Sequence, residues 1–428
     1  MNTLIKGAAI LADCAGGFVQ TGDISVAGNT ILAVGKKPPG FVPDRVIDGA
    51  RKLAMPGLVN CHTHAYMTIF RNYADDLAFD EWLFGRIMPK EDMLAPEDAY
   101  WCTLLACLEM IKSGTTCFLD MHMFKGQCLR AAAKSGMRAV LSRGIAGEGP
   151  DDPAAIRHLN ELFEDEDACK PYGGRLRCAL GPHAIYSCGE RLLRHIAELA
   201  QERGMRVHIH LAETQNEFDT AMQKYGCTPT EYVARLGLFD APAVAAHCVY
   251  LTPGDIDILK ARGVNVAINS ISNMKLGNGF APADRLIDAG INVCIGTDGA
   301  ASNNNLNLFK EMGTLSLIHK GLTKNPRVLP ARRVLHCATA AGADALGLRG
   351  AAGILQPGAL ADIILLNLDC PQFQPINDIA ASLVYAASGA EVETVLIDGQ
   401  VVMEKGNIKT IDEERVYAEV ARIRKALL

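Results

Sequence analysis

His62-Thr-His64 is the segment from which a chemical reading of this chain starts. Side chains alternate along an extended strand, so residues two apart share a face, and two imidazoles on one face can grip one ion. An H-x-H pair alone says little. It gains weight from other polar residues that stand where short apolar runs end: Asp120 and His122, Arg143, His183, His210 and Glu213, His247, Ser270 and Asn273, and Asp298. More than half of the eleven histidines sit at such ends. A lone core histidine is usually an ordinary packed residue; so many at equivalent positions suggest one site. His62, His64, His210 and Asp298 make a plausible three-nitrogen, one-oxygen set with a position open for water. These ligands suit zinc, and iron, manganese or nickel would also fit. Glu213, three residues beyond His210, is placed to move protons, and one glutamate can act as base and then acid. His247 could polarise the attacking water. Plainer readings exist: Asp298 could cap the helix that follows it, Glu213 could be a solvated helix-start residue, and Arg143 could belong to a surface ion pair.

The elements needed to position these groups are legible. Apolar runs at 57–61, 116–119, 138–142, 176–180, 207–211, 243–246, 264–269 and 292–296 alternate with amphipathic stretches such as 190–203, 253–262 and 282–289. Eight such βα units in series predict a (β/α)8 TIM barrel, with its chemistry where the strands end. The two ends of the chain read differently. Residues 7–11 read as a first strand, 22–27 and 30–34 flank a Gly28-Asn29 turn, 361–366 is apolar, and 392–397 leads through Asp398-Gly399 into 400–403, a strong hairpin signal. Together they predict a small β-sandwich domain built from both termini, giving a division into 1–54, 55–350 and 351–428. Residues 412–428 carry Val416, Val420, Ile423 and Leu427 at helical spacing and predict a helix packed on that small domain. Residues 70–97 form a long connection after the first barrel strand, the length of a lid or binding loop.

The bulk numbers bound the partners. The 428 residues suit a barrel plus an accessory domain. A net charge of −6 and 6% aromatic content argue against a nucleic-acid surface. No apolar stretch reaches ~18 residues, so no membrane span is expected, and the N-terminus lacks the pattern of a signal peptide. Fourteen scattered cysteines without a C-x-x-C pair point to buried thiols in a reducing cytoplasm. Association into a homo-oligomer is left open.

The segments MPGLVNCHTHAYMT, HIHLAETQNE, AAHCVYLT and IGTDGAASNNNLNLFKEM, with the lid FRNYADDLAFDEWLFGRIMPKE, resemble the amidohydrolase superfamily, and more narrowly its 5-methylthioadenosine/S-adenosylhomocysteine deaminases. The similarity runs in order over nearly the whole chain. It implies His62, His64, His210 and Asp298 as ligands of one divalent metal per chain, Glu213 as proton shuttle and His247 as the residue orienting the attacking water. It implies Glu91 as the group holding ribose hydroxyls, and Arg143 and His183 as further substrate contacts, with Arg157 as a second arginine. Members with two metals bridge them through a modified lysine on the fourth strand; RLRCALGPHA has none, so one metal is expected. The implied reaction is hydrolytic deamination of an adenosine-type nucleoside. Rival readings are a guanine, pterin or triazine hydrolase with the same metal site, and a non-catalytic metal-binding scaffold. Three positions depart from the family pattern: Ile185 stands for proline, Ser270-Ile271 for an Asn-Pro-like pair, and Asn72 for glycine, all expected near the pocket wall.

Overall fold

The computed structural model describes residues 1–16 and 19–428. Eight parallel strands form one sheet in chain order: Leu58–Thr63, Thr115–His122, Arg138–Ile145, Leu176–Pro182, Val207–Leu211, Ala243–His247, Asn265–Ile268 and Val293–Ile295. All eight predicted strands are present, several extended by one to three residues at the end that bears the polar groups. Beyond the eighth strand, the amides of Thr297 and Asp298 donate to the His62 carbonyl at 3.1 and 2.9 Å, and the Asn60 amide nitrogen donates to Thr297 Oγ1 at 2.8 Å. These bonds tie the last strand back to the first and bring Asp298 beside the two N-terminal histidines.

The chain ends supply nine further strands in a single mixed sheet. Asn2–Leu11 pairs with Val19–Ala27 and, in parallel, with Arg45–Asp48 and Lys52–Pro56; Lys52–Pro56 in turn pairs with Ile363–Asn367. The hairpin Val392–Ile397 to Gln400–Glu404 turns at Asp398 and Gly399, both left-handed (φ 52° and 74°), as the Asp-Gly pair predicts. Ile5, Ile24 and Val26 share an apolar cluster with Ile363, Leu365 and Leu396, so residues from both termini build this core.

The last helix, Glu413–Leu427, corrects one expectation. It packs chiefly on barrel helix Pro96–Lys112 rather than on the terminal sheet. Its polar residues explain the choice: Lys112 pairs with Glu413 at 2.6 Å, Asp98 with Arg422 at 3.2 Å, and the Arg415 guanidinium lies 5.0 Å from the Trp101 ring centre. The long connection after the first strand is also more ordered than a loop. It contains a 3₁₀ segment, Ala65–Phe70, a π-helical turn, Glu81–Ile87, and a short helix, Met88–Glu91. Lys90 donates to the Leu427 carbonyl at 2.6 Å, so the terminal helix also anchors this cover.

Barrel and sheet are joined by a buried ion pair. Arg138 Nε and Nη2 reach Asp362 at 2.7 and 3.1 Å, and Nη2 reaches Asp398 at 3.0 Å; the Arg138 and Asp362 side chains are 4% and 2% exposed. Removing one partner of such a pair strands a buried charge. Asp362→Ala is therefore expected to cost about 3–5 kcal/mol of stability. Urea titration of both proteins measures this, and a difference below ~0.5 kcal/mol, the scale of an ordinary surface change, would show that the bridge does not couple the two parts.

Candidate active site

The strand ends turn sharply at the mouth of the barrel. Ala212, His247, Cys248 and Asp298 all have left-handed backbones (φ 49°, 74°, 51° and 60°), conformations that non-glycine residues rarely adopt and that cluster at functional sites. These turns aim His247 and Asp298 inward toward His62, His64 and His210. Ligand-capable atoms of His62, His64 and His210 lie within 4.8 Å of one another, and so do those of His62, His247 and Asp298.

Hydrogen bonds fix which nitrogens face the centre. His64 Nδ1 and His210 Nδ1 each lie 2.8 Å from a backbone carbonyl, of Met121 and His183 respectively. A carbonyl only accepts, so each Nδ1 carries the proton and each Nε2 presents a lone pair. These two Nε2 atoms are 3.1 Å apart. Two lone pairs at that distance repel unless an electron-poor centre sits between them. His62 Nε2 and His247 Nε2 are buried with no hydrogen-bond partner, and His62 Nε2 and His64 Nε2 are each 3.5 Å from Asp298 Oδ1. Burial holds the His62 imidazole neutral, its pKa pushed down to about 3. Imidazoles and a carboxylate converging in a largely buried site are the donor set of a divalent metal, and the residues fit one. Asp298 does take the Gly299 amide at 2.7 Å and Ser302 Oγ at 2.9 Å at the head of the next helix, and Ser272 Oγ at 2.6 Å, yet its Oδ1 also faces the imidazoles of His62 and His64.

Glu213 stands beside this cluster. Asn278 Nδ2 donates to Glu213 Oε1 at 3.0 Å, and burial, reinforced by the Asp298 carboxylate, pushes its pKa well above the usual range. It can hold a proton at neutral pH, as a shuttle must. Glu217 shapes its position: its carboxylate oxygens accept the amides of Ala212 and Glu213 at 3.1 and 2.8 Å, clamping the left-handed turn that carries Glu213. His247 Nδ1 donates to Asn273 Oδ1 at 2.8 Å.

A cavity of about 460 Å³ opens above these groups, lined by His64, His183, His210, Glu213, His247 and Asp298 on the barrel side and by Phe79, Trp82, Phe84, Met88 and Glu91 of the cover. Glu91 accepts a hydrogen bond from the Tyr66 hydroxyl, and burial raises its pKa. Neither Lys90 nor Arg86, the cations nearest to it in sequence, pairs with it among the described residues. His183 Nδ1 lies 2.9 Å from Ser187 Oγ.

Arg143 is placed differently. Its Nε and Nη2 both reach Glu161 Oε2 at 2.9 Å, Nη1 donates to the Gly144 carbonyl at 2.8 Å, and the side chain does not line the cavity. A buried guanidinium needs several acceptors, and helix Pro153–Cys169 supplies the carboxylate. Arg157, on the same helix, is exposed and also outside the cavity. Asp120 and His122 are buried behind the wall, Asp120 accepting the Ala65 amide at 2.7 Å. Of the three departures from the family pattern only Ile185 lines the cavity. Ser270-Ile271 begins helix Ser270–Lys275, and Asn72 takes the left-handed backbone (φ 59°) that explains why a glycine would serve there.

Sequence reasoning missed the residues behind the ligands. His62 Nδ1 is 2.8 Å from His208 Nε2, and His208 Nδ1 is 2.9 Å from Ser142 Oγ, a buried chain that orients the His62 ring. The signal was present, since His208 alternates with His210 on the fifth strand.

The architecture and the donor set define a barrel hydrolase that works with a divalent metal. The amidohydrolase family model matches residues 53–402, and the chain belongs to that family. The chain is 47% identical to a 5-methylthioadenosine/S-adenosylhomocysteine deaminase of Pelotomaculum thermopropionicum, with 98% of each chain covered. Among solved structures it is similar to an adenosine deaminase from Xanthomonas campestris with bound zinc (TM-score 0.94, 30% identity, 99% and 98% covered). It is also similar to an atrazine chlorohydrolase from Arthrobacter aurescens complexed with zinc (TM-score 0.90, 26% identity, 99% and 100% covered).

Partners that orient metal-binding histidines typically contribute 10–100-fold in affinity. His208→Ala is therefore expected to weaken metal binding by about that factor with little change in the fold. Competition with a chelator measures it; unchanged affinity would mean that His62 is held by strand packing alone.

Proposed function

We infer that the chain is an aminohydrolase that converts adenosine-type nucleosides (5-methylthioadenosine, S-adenosylhomocysteine or adenosine) to the inosine-type product and ammonia. The observation that carries the reading is a partly buried Glu91, hydrogen-bonded to the buried Tyr66, facing the metal cluster across a cavity that Glu213 also lines. A purine at the cluster would put its ribose diol against Glu91, and the 47% identical deaminase supports that choice of substrate. The triazine hydrolase reading has a structural relative too, but such a substrate has no diol for Glu91 to hold.

His62, His64, His210 and Asp298 would hold one metal. Zinc is favoured by the donor set and by the zinc-bound neighbour. The metal would supply Lewis acidity and make a water acidic enough to ionise near neutral pH. The chain does the rest. Glu213 gives its proton to purine N1 as water adds to C6, so charge does not build up on the ring. Asp298 takes a proton from the water, and His247, fixed by Asn273, orients its oxygen. Glu213 then takes the proton of the added hydroxyl and delivers it to the departing amino group, and the proton held by Asp298 returns to Glu213, so that of the two water protons one replaces the proton given to N1 and one leaves with ammonia. Glu91 and His183 hold the nucleoside, and Phe79, Trp82 and Phe84 exclude solvent. The fourteen unpaired thiols support a cytoplasmic setting, and no helix among the described residues is long and apolar enough to cross a membrane.

Glu213→Gln should keep the metal and lose about 10²–10⁴-fold in kcat, the usual worth of proton transfer. Metal analysis beside ammonia release tests it, and near-normal turnover would place the shuttle elsewhere. The substrate class is tested with riboside, 2′,3′-dideoxyriboside and free base. The intact protein should strongly prefer the riboside, because a site built to bond a hydroxyl rejects analogues lacking it. Glu91→Ala should erode that preference by roughly 1.5–3 kcal/mol per charge-assisted hydrogen bond. A preference for free bases, or a variant as selective as its parent, would overturn the nucleoside reading.

A further inference from the structure

The closed end of the barrel, opposite the mouth, holds an arrangement that the deaminase reading leaves unused. Arg177, early in the fourth barrel strand, and Arg206, just before the fifth, come together over bare backbone. The point that a Cβ on Gly347 would occupy is 2.8 Å from Arg206 Nη2 and 3.9 Å from Arg177 Nη1. Gly347 has a left-handed backbone (φ 71°), so the chain bends past the two guanidiniums without a side chain to separate them.

Neither guanidinium has a carboxylate partner among the described residues. The one side-chain hydrogen bond of Arg177 runs from Nε to the Gly174 carbonyl at 3.2 Å, and the Arg206 side chain makes none. Both are partly buried, Arg206 lies within the field of Arg177, and Arg177 within that of Arg138. The nearby acids are already committed. Glu166 takes Arg203 at 3.1 Å, and Asp344 takes Arg349 Nε at 2.8 Å. The two arginines open into a cavity of about 410 Å³ whose single acidic lining residue is Glu166, and Arg206 also borders a second cavity of about 370 Å³. Like charges packed together, half-desolvated and facing open space, are costly unless a counter-anion is shared between them.

We propose that Arg177 and Arg206 form a binding site for a tetrahedral dianion of the phosphate class. Two planar forks can each engage two oxygens of such an ion. A single carboxylate would balance only one of the charges. The site is remote from the barrel mouth, so it binds an effector or stabilising ion rather than the nucleoside.

Calorimetric titration of the metal-loaded protein with sodium phosphate, against chloride of matched ionic strength, tests this directly. Saturable binding is expected, weakened about 10-fold or more in both Arg177→Gln and Arg206→Gln, the loss of at least one charge-assisted hydrogen bond. Thermal melting supplies a second signature. Without phosphate each variant should melt at or above the parent temperature, because a like-charge contact is relieved; in saturating phosphate the parent should melt higher. Glycerol 3-phosphate distinguishes a free ion from a phosphomonoester: tighter binding than phosphate assigns the larger ligand, and equal binding assigns the phosphoryl group alone. Phosphate binding that is undiminished in both variants would place the ion elsewhere, at the barrel mouth for example. An absence of binding, or variants that melt lower with and without phosphate alike, would equally overturn the proposal and leave the pair a structural one.

Discussion

Unprotonated imidazole nitrogens repel, and this protein holds two of them, on His64 and His210, 3.1 Å apart. Much of the architecture at the barrel mouth serves that constraint. Each ring is turned by a bond on its far nitrogen: to Met121 and His183 carbonyls for His64 and His210, to His208 for His62, and to Asn273 for His247. Met121, His183 and Asn273 lie on or after neighbouring strands, and His208 on the fifth strand meets His62 of the first across the barrel, so the tautomers depend on the register of the parallel sheet. A one-residue slip would turn each histidine to the opposite face. The bonds from the Thr297 and Asp298 amides to the His62 carbonyl make barrel closure and assembly of the donor set the same event.

Acid–base chemistry is built on the same frame. The Glu213 carboxyl is kept from water, so it favours the protonated form. Its backbone is held by Glu217, whose two oxygens satisfy amides that the left-handed turn at Ala212 would otherwise orphan. Burial of Glu217 costs desolvation, and the two amide bonds offset it. The result is a shuttle fixed in place without a bond to its own carboxylate that would lock its protonation state, apart from the single donation from Asn278.

The parts of this design written in local pattern were legible from sequence. Alternation gave all eight barrel strands, and Asp398-Gly399 gave the hairpin, because short-range sterics dictate both. The gathering of histidines at strand ends pointed to the metal cluster, since a parallel barrel puts all strand ends on one face. What depends on three-dimensional neighbours was not legible. Nothing near Arg143 in sequence says that Glu161 will claim it. Nothing in the period of residues 412–428 says that the helix will pack on Pro96–Lys112, with Arg415 over Trp101, instead of on the terminal sheet. Ser270-Ile271 and Asn72 looked like pocket positions by proximity to motifs, but backbone direction places them away from the cavity. His208 stood in plain sight two residues from a ligand, on the same face of its strand, where it reaches His62 rather than the centre.

The two ends of the barrel are electrostatic complements. At the mouth, acceptors converge with too few donors, and at the other end donors converge with too few acceptors. Between them Val59, Cys61, Cys117, Leu119, Val140, Ala179, Val244, Ala267 and Cys294 form a closed apolar layer. The apolar layer carries no charge of its own that could balance either end. Each end is therefore satisfied where it stands, by solvent or by an ion among its own side chains, because the opposite charge at the other end is too far away to neutralise it. The same reasoning explains why Arg138, at the donor-rich end but walled off from solvent, is the arginine that received two carboxylates from the terminal sheet. Arg177 and Arg206 open onto cavities that an ion can enter, and the fold leaves them unpaired.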